Sequence, residues 1–114
     1  SIHVENEKFI DASTGISGSG PAYVFYFMQS MLDAAKKMGF SDYDSRVLVS
    51  STFEGAVQLF NDSNITPQTW MDRVASEGGT TRAALDSMDE NHLKELIEEA
   101  AYAAFNRAVE LGKS

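Results

Sequence analysis

The sequence has no cysteine and only two prolines, Pro21 and Pro67, among its 114 residues. The first absence excludes disulfides, thiol catalysis and cysteine-based zinc sites, and it fits a reducing cytoplasm. Basic residues are scarce too: nine Lys and Arg stand against 17 Asp and Glu, for a formal net charge of −8. So acidic a surface repels phosphate backbones, which argues against nucleic acid or an anionic membrane as partner. A third absence is local: no charged residue occurs from Ala12 to Leu32. The first residues carry acids and no apolar stretch, so no signal peptide is expected there. What is present is an ordinary globular composition, 43% hydrophobic, enough for one domain with a modest core and too apolar for disorder.

The dominant hydrophobic period is helical. It predicts an all-α chain, with an irregular opening followed by about five helices and no convincing sheet. "IHV" at 2–4 resembles a strand end without a partner, and 5–11 reads as a short helix. The next helix starts at Pro21, because a first helical position has no use for the missing N–H. Gly39 stops it as a left-handed residue. Ser41 then caps a helix that runs to about Asn61, with Asp44 three positions on. Thr66 and Pro67 open another. "SEGGTT" breaks it, and a short helix follows over 81–88. Asn91 is expected to cap the last helix, whose stripe is Leu93, Leu96, Ile97, Ala100, Ala104, Ala108 and Leu111. Gly112 ends it.

The helix from Pro21 is apolar on every side. Val24, Phe25, Met28, Met31, Leu32 and Ala35 make one face, and Tyr23, Tyr26 and Phe27 fall on the others. A membrane span needs roughly 20 apolar residues, and here Gln29, Ser30 and Asp33 interrupt the run. A helix apolar all round must be buried all round. One small helical domain covers one side of it, so either this is a central core helix or a second copy of the chain covers the rest. Gly55, within "VSSTFEGA", costs about 1 kcal/mol against alanine in a helix, which is tolerated best where another backbone comes close.

Two glycine clusters are the candidate sites. "GISGSGP" lacks the dinucleotide order G-x-G-x-x-G and an upstream strand, and no lysine follows to make a P-loop. It reads as a tight, glycine-permitted turn feeding Pro21. "SEGGTT", Ser76 to Thr81, stands directly before a helix. Helix N-termini attract anions through free N–H groups and the dipole, and Thr80 and Thr81 add hydroxyls. The loop therefore reads either as a carboxylate or phosphate site or as an ordinary turn with a threonine cap. His3 and His92 lie far apart without ligand spacing, so surface or capping roles are expected and no metal site. The acidic run "DSMDENHLKELIEE" is most simply a solvated face. No acid, base or nucleophile announces a complete active site.

"SGSGPAYVF" and "SEGGTTRAAL", taken together and in this order, resemble the C-terminal domain of pyrroline-5-carboxylate reductase. The "EGAVQLF" and "AAYAAFNRAVELG" segments are similar to further family segments, so the likeness runs from about Phe9 to Gly112. The resemblance implies a single helical dimerisation domain of the 6-phosphogluconate dehydrogenase C-terminal type, interleaved with its partner in a homodimer and in many members assembled into decamers. It implies a preceding Rossmann domain that binds NADPH or NADH, and reduction of 1-pyrroline-5-carboxylate to L-proline. Ser76, Gly78, Gly79, Thr80 and Thr81 would then bind the substrate carboxylate, with Thr81 near the ring nitrogen. A protonated cyclic imine already accepts hydride well, so positioning and one hydrogen bond suffice, which agrees with the missing catalytic residues. The chain alone is expected to bind no dinucleotide and to be inactive.

One departure from the family pattern is Glu77, where proline is usual. A glutamate frees the turn and sets a negative charge beside a carboxylate site, so Glu77→Pro is expected to lower KM in the longer enzyme. Three rival readings stand beside this one. The chain could be a helical dimerisation module with no enzyme attached, dimerise another two-domain imino-acid or hydroxy-acid dehydrogenase, or bind small amino acids independently.

Overall fold

A computed structural model describes residues 6–76 and 79–112. Among them it contains six α-helices and one π-helical turn, and no strand. The helices are α1 (Glu7–Ser13), α2 (Gly20–Lys37), α3 (Asp42–Asn61), α4 (Pro67–Ala75), α5 (Gly79–Glu90) and α6 (Leu93–Gly112), with the π-turn (Thr14–Gly18) between α1 and α2. The expected strand end at 2–4 and His3 lie outside the described residues. The short helix expected over 5–11 is α1, slightly later in the chain: Asn6 caps it, its side chain accepting from the Phe9 N–H at 3.3 Å. No described helix is long and apolar enough to cross a membrane.

The helix ends follow the sequence signals closely. At the end of α2, Gly39 has φ 111°, the Phe40 N–H donates to the Ala35 carbonyl, and the Gly39 N–H donates to the Lys36 carbonyl. This is the paired closure that a left-handed residue makes possible, and Lys36 and Lys37 favour the negative end of the dipole. Ser41 caps α3 by accepting from the Asp44 N–H at 3.0 Å. Thr66 caps α4 by accepting from the Thr69 N–H at 3.2 Å, with Pro67 in the first turn. Two ends differ from expectation. α5 begins at Gly79 rather than Thr81. Immediately before α6 stands His92 rather than Asn91, at φ 57°, and its carbonyl accepts the first bond of that helix from Leu96.

The residues group into two compact units, one made of Ser1–Phe25 with Met88–Ser114 and the other of Tyr26–Ser87. In the first, α6 packs against α1 and the π-turn. The turn is closed by the Ser19 N–H, which donates to the Thr14 carbonyl five residues back at 2.9 Å. Its Gly15 is buried against α6, where an added Cβ would lie 2.9 Å from the Ala101 carbonyl oxygen and 3.3 Å from the Phe105 Cβ. The Tyr23 hydroxyl donates to the Gly15 carbonyl at 2.8 Å. The tight turn expected from this glycine cluster is π-helical, and Gly15, Gly18 and Gly20 do not have positive φ; at Gly15 the requirement is close approach. Of the expected α6 stripe, Leu93, Ala104 and Ala108 are half-buried while Leu96, Ile97, Ala100 and Leu111 are exposed, and the contact with Gly15 runs through Ala101 and Phe105. A small residue opposite a glycine is what lets two backbones meet.

In the second unit, α2 and α3 meet through Phe27 and Phe53, stacked edge to face with centroids 5.5 Å apart. The Trp70 indole N–H donates to the Ser63 hydroxyl at 3.3 Å, and the Arg73 guanidinium lies 5.3 Å from the Trp70 ring. Ser45 is fully buried, and its hydroxyl has no partner. Among the described residues only Gly15, Ser45, Val49 and Ala75 are buried. A chain that is 43% hydrophobic has thus covered few of its large apolar side chains by itself.

Candidate functional site at the start of α5

The candidate site lies where α4 ends and α5 begins. Ser76 closes α4, with its N–H donating to the Asp72 carbonyl at 3.0 Å and its hydroxyl donating to the Arg73 carbonyl at 2.8 Å. Its hydroxyl therefore already has an acceptor at the helix end. Glu77 and Gly78, the two following residues of the expected loop, lie outside the described residues. Gly79, Thr80 and Thr81 form the first turn of α5. That start, earlier than the sequence suggests, puts all three at positions whose N–H groups have no partner within the helix.

The chemistry of this turn suits an anion. The first turn of α5 carries no acidic side chain, so nothing in it offsets the positive end of the helix dipole. Arg82 follows directly, its guanidinium 4.0 Å from the Asp86 carboxylate and about half exposed. Gly79 and Thr80 are exposed and Thr81 is half-buried. A Cβ added at Gly79 would meet nothing within 4 Å. The fold of this chain therefore does not require glycine at that position, and the bare backbone is open to whatever approaches it.

The other sequence candidates belong to the other compact unit. "GISGSGP" spans the π-turn and the start of α2, and its Gly15 is spent on packing. His92 stands at the head of α6. Among the described residues no group of three or more His, Asp and Glu is placed to hold a metal ion. The close approach of Gly15 to Ala101, with Tyr23 bonded across it, is the feature that sequence reasoning missed. The one signal for it was the string of alanines in "AAYAAFNRAVELG".

Comparison with known proteins agrees with this anatomy. The family model for pyrroline-5-carboxylate reductase dimerisation matches residues 7–111. A pyrroline-5-carboxylate reductase of Pseudomonas aeruginosa is 41% identical over 98% of this chain and 41% of its own length. One from Synechocystis is 36% identical over 94% of the chain and 40% of its own. The crystal structure of a Plasmodium falciparum pyrroline carboxylate reductase with NADP bound superposes with a TM-score of 0.91 at 38% identity, over 97% of this chain and 42% of that one. The chain thus spans about two fifths of the length of the curated relatives it matches. With both glycine motifs inside the matched region, the chain belongs to the pyrroline-5-carboxylate reductase dimerisation family.

Proposed function

We propose that this chain is the C-terminal part of a cytoplasmic pyrroline-5-carboxylate reductase, supplying the dimer contact and the loop that holds the substrate carboxylate. The reaction is reduction of 1-pyrroline-5-carboxylate to L-proline. The observation that carries the reading is the family match across 7–111, with an anion-suited first turn inside it. NADPH or NADH, held by a part of the enzyme outside this sequence, supplies the hydride. This chain's residues bind and orient the imine. The N–H groups of Gly79, Thr80 and Thr81, with Gly78 and the Ser76 region beside them, receive the carboxylate. The Thr81 hydroxyl makes a hydrogen bond at the ring nitrogen. With the imine protonated, holding its carbon in line with the hydride donor is the main demand.

The homodimer is supported by the apolar side chains that one chain leaves uncovered. No residue of α2 is buried; Phe25 is 67% exposed and Tyr26 80%. α3 carries Leu48 and Leu59 on one flank and Tyr43, Val47 and Val57 on another, all exposed. Apolar flanks on both sides of one helix suit a partner copy and, beyond it, assembly of dimers into a larger ring such as a decamer.

The test uses the full-length protein with 1-pyrroline-5-carboxylate and NADPH or NADH. Oxidation of the nicotinamide with one proline formed per hydride is expected. A folded, dimeric protein that oxidises neither cofactor with this imine, yet reduces another imino or keto acid, would overturn the substrate assignment.

A further inference from the structure

We draw no further inference here: the strongest candidate, the open apolar cavity of about 410 Å³ between the π-turn and α6, floored by Ile16, Ala101, Tyr102 and Phe105 with Lys8 and Glu98 among its lining, is an unpartnered groove, and nothing in the structure shows what covers it.

Discussion

Gly15 and Gly79 come from two glycine-rich stretches that look alike in the sequence, each leading into a helix. Their surroundings are opposite. At Gly15 a side chain would strike the backbone of α6, and a tyrosine hydroxyl closes over the carbonyl. At Gly79 a side chain would meet nothing within 4 Å. The first glycine is explained inside the chain by packing. The second is not, and its bare backbone makes sense if a ligand reaches it. A glycine motif therefore says only that backbone is exposed to something, and the neighbours say to what.

The largest effect expected concerns the helix that follows the first stretch. Phe25→Asp sets a carboxylate on the uncovered face of α2. Light scattering on a dilution series should show dimer dissociation strengthened by roughly a hundredfold or more, since a buried aromatic anchor is commonly worth over ~2 kcal/mol and an unpaired buried charge costs more. A dimer unchanged by this substitution would place the contact elsewhere.

The next effect belongs to the second stretch. Thr81→Val in the full-length enzyme should lower kcat/KM about 10- to 100-fold, the equivalent of one hydrogen bond to a charged group at about 1.5–3 kcal/mol. Thr81→Ser should retain most of the rate. Equal losses in both variants would remove the hydroxyl from the proposed role.

The two glycines can then be set against each other directly. Gly15→Ala should lower the unfolding free energy by about 1–3 kcal/mol, because the atoms it meets are largely backbone and cannot swing away. Gly79→Ala should leave stability unchanged or raise it by up to ~1 kcal/mol, while raising KM for the imine in the full-length enzyme. Denaturant titration and steady-state kinetics on the same pair of variants read both arms. Equal destabilisation, with no change in KM, would erase the distinction drawn between the two stretches. The smallest effect is Tyr23→Phe, which removes the bond to the Gly15 carbonyl and should cost about 1 kcal/mol in the same titration.

Much of the local structure was legible because it depends on neighbours in the chain. Ser41, Thr66 and Gly39 announce helix ends through short-range hydrogen bonds and φ preference, and the structure has them in those roles. α5 starts two residues before its sequence signal, since two glycines mask where helical geometry begins. The candidate site was readable as a glycine–threonine loop before a helix, and its order with the first motif pointed to the family. The buried, unpartnered hydroxyl of Ser45 had no sequence signal, since a serine just inside a helix start is ordinary on an exposed face.

By itself the sequence determined an all-helical chain, most of its helix ends, its acidic character and a helix that is apolar on every side. These follow from periodicity, capping chemistry and composition, which are properties of neighbouring residues. Tertiary structure alone decided that Gly15 serves a helix contact, that Ala101 and Phe105 form the contacting side of α6, and that Gly79 stands in open space. The reason is physical: whether a missing Cβ matters depends on atoms at residues far along the chain, and only the folded backbone brings those atoms within a few ångströms.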